Sequence, residues 1–246
     1  MYTILISMLI GATSGAVWTA LELWKTWQMG IVLFVLVSLV SFIVISRVMA
    51  KRIEPHFLAI QKQIEAGQIQ IAISQLEAMM PLSRWQVLLQ GQIHAQIGLL
   101  AYSSGDEKRA EEHLSKAGMR ATEAKLAHAA LEYRNGRKDR AREALDIAIR
   151  ANKKQIMPYH VYAWMLAKDG DREAAISKLV EAEKVEKGNE STVENIGRLR
   201  NGKKLNMKRF GMAWFGLQLE KPPAQYRAGQ GQAARKGFRQ RPQRRH

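Results

Sequence analysis

The chain opens with two long apolar runs and then changes character. Residues 3–21 and 30–48 are each 19 residues long and carry no charge except Arg47. As helices rising 1.5 Å per residue, each would reach roughly 28 Å, close to the thickness of bilayer hydrocarbon. The polar turn between them, 22–29, holds Trp24 and Trp27, side chains suited to the headgroup layer. The pattern predicts a transmembrane helical hairpin over 1–50. A cleavable leader is the competing reading of the first run, but no Lys or Arg precedes it and a second run follows at once. Arg47 ends the second run and Lys51 and Arg52 follow it, against a single Lys25 in the turn. That bias predicts both termini on the cytoplasmic side. Gly11 and Gly15 form a small-xxx-small pair, which lets helix backbones approach closely in lipid. Their partner is either the chain's own second run or another membrane protein.

From residue 51 the apolar period becomes that of amphipathic helices, and the pattern repeats. Ala72, Ala110, Ala141 and Ala175 recur at spacings of 38, 31 and 34 residues. Four positions after each stands Leu76, Leu114, Leu145 or Leu179, and three further on Met79, Ala117, Ala148 or Ala182. Such i, i+4, i+7 spacing lines one face of a helix. Five residues before each alanine is Gly67, Gly105, Gly136 or Gly170, a break just upstream of the helix. Each unit therefore reads as helix, tight turn, helix. Pro55 and Pro158 fit first-turn positions, Asp106 and Asp171 fit N-caps, and Ser191 with Glu194 reads as the capping box of a last helix.

This period and order resemble the tetratricopeptide repeat, a 34-residue helix–turn–helix with the pattern W-x2-L-G-x2-Y, A-x3-F, P. In the second unit Ile97 and Gly98 stand for the Leu-Gly pair, Ala101 for the tyrosine, Ala110 for the alanine and Leu114 for the aromatic. In the fourth, Tyr159, Tyr162, Ala163 and Leu166 take the Trp, Leu, Gly and Tyr positions. His94, Lys125 and Tyr159 replace the tryptophan, and the closing proline is missing. The resemblance implies a solenoid of about four repeats over 51–187, in which stacking buries stripes that no single pair can bury. It also implies a concave peptide groove lined by the first helices, with Leu99, Tyr102, Leu126, Tyr133, Arg134, His160, Trp164 and Lys168 upon it. Tyr102 and Trp164 could equally be core between repeats. The Lys and Asn pattern by which some family members clamp a C-terminal carboxylate is missing, since Ala95, Leu99, Leu126 and Ala130 hold those positions.

Charge changes the picture at the far end. The formal net charge is +16, yet residues 51–197 carry 22 basic against 20 acidic side chains. Residues 198–246 carry 14 basic side chains and one acid, Glu220. Over 212–219 apolar residues alternate with a period of two, ended by Pro222 and Pro223. That period reads as a strand-like aromatic segment, either a lid over the last repeat or an element exposed to a partner or the bilayer. From 224 to 246 the composition is Gly, Gln, Arg and Lys, too poor in apolar surface to fold, so a disordered basic tail is expected. Its Arg227, Arg235, Lys236, Arg239, Arg241, Arg244 and Arg245 would contact anionic lipid headgroups or RNA.

Catalytic chemistry finds little footing. The chain has no cysteine, hence no thiolate ligand or nucleophile. A phosphate-binding glycine loop, a G-x-S-x-G elbow and a His-x-x-x-His pair are also missing. His56 and His94 sit on apolar stripes, as core histidines do, and Glu107, Glu111 and Glu112 lie beside Lys108 and Arg109 on an ion-paired helix face. No enzymatic activity, cofactor or metal is expected. The sequence thus predicts an all-α protein: a hairpin (1–50), a solenoid (51–187), a capping helix with an aromatic segment (188–223) and a tail (224–246). The expected role is an integral-membrane scaffold, in a bacterial inner membrane, that binds a protein partner at the cytoplasmic face. A membrane tether for RNA or ribosomes and a non-catalytic subunit of a membrane complex are the alternatives.

Overall fold

A computed structural model of the chain describes residues 2–20, 27–86 and 88–223. The turn carrying Trp24 and Lys25 lies outside the described residues. So do the seven basic residues expected to contact lipid or RNA: Arg227, Arg235, Lys236, Arg239, Arg241, Arg244 and Arg245. Every regular element among the described residues is helical, and the chain divides into two compact units, Met1–Ile97 and Gly98–His246.

The first unit begins with α1 (Tyr2–Ala20) and α2 (Trp27–Glu65), both long and apolar enough to cross a membrane. They pack antiparallel, since an added Cβ on Gly11 would strike Phe34 and Ser38, and one on Gly15 would meet Gly30 and Phe34. Thr3, Ser7, Gly11 and Gly15 recur every four residues and make one buried ridge on α1. With so little side chain on that ridge, the two backbones come close. The outward faces are apolar and uncovered: Leu9 is 67% exposed, and Leu39 and Val40 are each 57% exposed. A core helix of a soluble domain would bury those side chains.

The second apolar run does not stop where its hydrophobicity does. α2 continues as one helix of 39 residues through Arg47, Lys51 and Pro55 to Glu65. Pro55 was expected to open a new helix, but it lies inside this one. Its ring removes one backbone bond, to the carbonyl of Lys51. Both residues are exposed, so water takes the place of the missing donor. His56, expected in the core, is exposed as well, whereas His94 is buried. Gly67, at φ +74°, ends this helix, and α3 (Ile69–Ala78) folds back against it, burying Ala72, Ile73 and Leu76. A 3-10 turn over Met80–Arg84 leads to α4 (Leu89–Ser104), which runs through the boundary between the units.

In the second unit, α5 (Glu107–Ser115) packs on the last turns of α4, with Gly98 against Leu114. The helices α6 (Thr122–Arg134) and α7 (Lys138–Ala151) form the next pair, and α8 (Met157–Lys168) with α9 (Arg172–Val185) the one after. The aligned alanines and leucines of the repeat are all fully buried. The four aligned glycines all have positive φ, a left-handed turn that other residues adopt only at a cost. Asp106 and Asp171 accept hydrogen bonds from the backbone of Arg109 and Ala174, and Pro158 sits in the first turn of α8. The last long helix, α10 (Glu190–Arg200), is capped by Asn189, which accepts from Thr192 N at 3.2 Å. Ser191 is therefore already inside α10, and Glu194 binds Arg209 and Asn206 instead of closing a capping box.

Candidate peptide-binding face and the strap across it

The first helices α4, α6 and α8 hold all eight residues expected on the groove. Six neighbour one another or the chain that follows α10; Leu99 lies apart, half-buried beside a shallow hollow with Arg120, Thr122, Asn152 and Gln155. Leu126 is buried in the packing between helices.

The surface formed by the others is not open. Residues 207–220, of which 212–219 were expected to be strand-like, are instead a 3-10 turn at Lys208–Phe210, a single helical turn α11 (Met212–Phe215) and further turns. The alternation over 212–219 mimics a strand by composition only. Gly211, at φ +55°, and the helical Gly216 break any extended run. What orders the segment is contact with the second unit. Trp214 is fully buried and meets Trp164 edge to face, at 5.1 Å between centroids. Phe210 lies against the His160 ring at 4.8 Å. The Tyr102 hydroxyl donates to the Leu217 carbonyl. Gln218, the only non-glycine with positive φ among the described residues, donates to the Tyr102 carbonyl and accepts from Arg134 at 3.0 Å. Glu220 accepts from both indoles, Trp164 at 3.0 Å and Trp214 at 3.1 Å. Four of the eight groove residues, Tyr102, Arg134, His160 and Trp164, are thereby engaged by the chain's own strap, while the Lys168 ammonium lies over Trp164 and lines a hollow with Glu220.

Charged and titratable groups hold this face rigid. Asp169, at the C-terminal end of α8, receives the Tyr133 hydroxyl at 3.1 Å, Lys138 at 2.6 Å and Arg142 at 3.4 Å. Burial pulls its carboxyl upward, and those three partners more than reverse the effect, leaving it below the ordinary carboxylate value. The Tyr133 phenol is pushed up to about 12 by burial and by the nearby Asp169. Burial also raises Tyr102, against the opposing pull of Arg134. His160 is wholly enclosed, bridging Thr192 at 3.0 Å and Asn195 at 3.3 Å, and burial lowers it to about 4. It is a neutral structural imidazole at physiological pH.

Two hollows bear on binding. One, of about 330 Å³, lies between α8 and the strap, lined by Trp164, Lys168, Arg172, Lys203, Lys204 and Glu220. Its four cations face one carboxylate, and that carboxylate is already held by two indoles. The other, of about 600 Å³, involves α5, α6 and α7 and mixes Lys108, Lys125, Arg140 and His128 with Glu111, Glu132 and Glu143. Two of its carboxylates are held: Glu132 takes His128 and Arg137, and Glu111 takes Arg137 at 2.7 Å. Lys125 is buried with only the Ser115 carbonyl at 3.5 Å, and burial lowers its pKa.

Among the described residues no group of three or more His, Asp or Glu side chains is placed to hold a metal ion. The face offers binding chemistry: an aromatic edge at Trp164 and the cations of the hollow beside it. Sequence reasoning missed Phe210, Trp214, Gln218 and Glu220 as members of it. The density of aromatics in an otherwise basic segment was the available signal. No family model and no curated protein sequence matches the chain.

Proposed function

We propose that this protein is a membrane-anchored helical-repeat scaffold that holds a protein partner at the cytoplasmic face of a bacterial inner membrane. The supporting observation is the combination of two uncovered apolar helices with helix pairs whose recurring Ala, Leu and Gly positions are buried or left-handed alike. Both termini are cytoplasmic in this reading, because Arg47 sits at the end of the second span and Lys51 and Arg52 lie just beyond it. The pairs are tetratricopeptide-like repeats, and the partner meets their inner face. Since residues 207–220 already occupy the aromatic half of that face, the partner reads what is left beside it, the cationic hollow of Lys168, Arg172, Lys203 and Lys204. An acidic segment carrying one apolar side chain fits, its charge answering the cations and its apolar group resting on Trp164.

The test is photo-crosslinking in native membranes from a probe placed at Lys203 of the full-length chain. A discrete protein adduct is expected, lost in a Lys168→Glu, Arg172→Glu double variant that still folds. Lipid adducts alone, or a protein adduct indifferent to the double variant, would remove this reading.

A further inference from the structure

Between α3 and α4 the first unit carries a short connector, residues 80–88, whose sequence is M-P-L-S-R-W-Q-V-L. One residue in nine is charged, and that is a cation, Arg84. The connector is tied to the start of α1. The Thr3 hydroxyl donates to the Trp85 carbonyl at 2.7 Å, and the Tyr2 and Trp85 rings meet edge to face at 5.5 Å between centroids. Thr3 and Trp85 are 82 positions apart in sequence, so this is a tertiary contact that fixes height.

The height is set by the helix register. Gly11 lies opposite Phe34 and Ser38, and Gly15 opposite Gly30 and Phe34. Carried along the antiparallel pair, that register brings Thr3 level with the turn of α2 that ends in Arg47. Arg47 is the only charge in the apolar run, and Lys51 and Arg52 come one turn later. Tyr2 and Trp85 therefore stand where hydrocarbon gives way to headgroups, the depth at which amphipathic rings are most comfortable. Around them Pro81 and Arg84 are exposed or half-buried, and Leu88 is 57% exposed. An exposed leucine in a soluble loop costs apolar surface, whereas at this depth it is solvated by acyl chain.

We infer that the connector forms an interfacial wedge: Trp85 and Leu88 seat in the headgroup and upper acyl layer, level with the cations Arg47, Lys51 and Arg52 of α2. The inference rests on α1 and α2 spanning the bilayer. The wedge makes the lipid surface a second partner of the soluble helices and sets the first pair at a fixed distance from the membrane.

A chain without cysteine makes the test clean. Single-cysteine variants Leu39→Cys and Leu88→Cys of the full chain are labelled with a polarity-sensitive dye and reconstituted in phosphatidylcholine–phosphatidylglycerol vesicles. Lipids bearing spin labels at the headgroup or deep in the acyl chain serve as quenchers. The Leu39 label should be quenched by the deep probe. The Leu88 label should emit to the blue of the dye–cysteine adduct in buffer and be quenched at least twofold more by the headgroup probe than by the deep one. Adding Trp85→Glu should halve that shallow quenching or better, with Leu39 unaffected. A Leu88 label that behaves like the free adduct while Leu39 is deeply quenched overturns the wedge and leaves the spans standing. A Leu39 label that escapes the deep quencher overturns the spans, and the wedge with them.

Discussion

At the scale of single residues, the same chemical type plays opposite parts according to what surrounds it. Gly98 and Gly197 both lie inside helices. A Cβ at Gly98 would meet Leu114 within 2.7–2.9 Å, including its backbone nitrogen, whereas a Cβ at Gly197 would meet nothing within 4 Å. Gly98→Ala should therefore cost about 1–3 kcal/mol through overpacking, and Gly197→Ala should gain about 0.5–1 kcal/mol through the lost freedom of the unfolded chain. Chemical denaturation of the two variants gives the signs directly. His160 supplies a pH dependence. Its folded pKa of about 4 lies below the ordinary 6.5, so between those values the unfolded chain binds the extra proton. Stability is full above about pH 6.5 and declines toward pH 4, by roughly 3 kcal/mol from this group. His160→Gln should flatten that limb of the midpoint-against-pH curve, while the limb below pH 4, governed by carboxylates, persists.

At the scale of elements, the strap behaves as a bound peptide that happens to be covalently attached. Truncating a buried tryptophan costs about 3–5 kcal/mol, and here the loss falls on the segment before the fold as a whole. Trp214→Ala should speed amide exchange over residues 207–218 by about 100-fold or more, with α6 and α7 unchanged. Equal acceleration everywhere would mean that the strap is part of the core rather than a layer upon it. The helix pairs were legible in sequence because three independent signals coincided: an i, i+4, i+7 apolar face, a left-handed glycine upstream, and Asp caps at 106 and 171. The strap was legible only in part: a lid over the last repeat was one of the two readings of its aromatic segment, but its turns and its contacts were not. Its order comes from side chains far away in sequence, from Trp164, 56 positions before Glu220, to Tyr102, 115 before Leu217, and a local period of two carries no trace of them. The tip of α2 was misread for a different reason. A proline usually marks a helix start, and only the exposure of Lys51 and Pro55 lets this one sit inside. The eight residues expected on a groove do fall on α4, α6 and α8, but nothing in them announced which would meet the chain's own end.

At the scale of the whole molecule, the membrane placement proposed above makes α2 one rod that is a span at its start and a soluble helix at its end. Each inserted residue rotates the downstream part of a helix by about 100° and lifts it about 1.5 Å. A single alanine inserted between Arg52 and Ile53 should swing α3 and the connector off the lipid. Headgroup quenching of a Leu88 label would disappear while deep quenching at Leu39 stays. Insertion tolerance at this point would instead indicate a joint in the helix. The continuity of α2 has a mechanical consequence. From Arg47 to Glu65 the rod projects about 27 Å beyond the span, so a tilt of about 10°, well within what bilayer thickness imposes on a helix, sweeps its tip through roughly 5 Å. A neighbour that squeezes or thins the lipid would thus be felt at Glu65 as a lever stroke, with the water boundary as fulcrum.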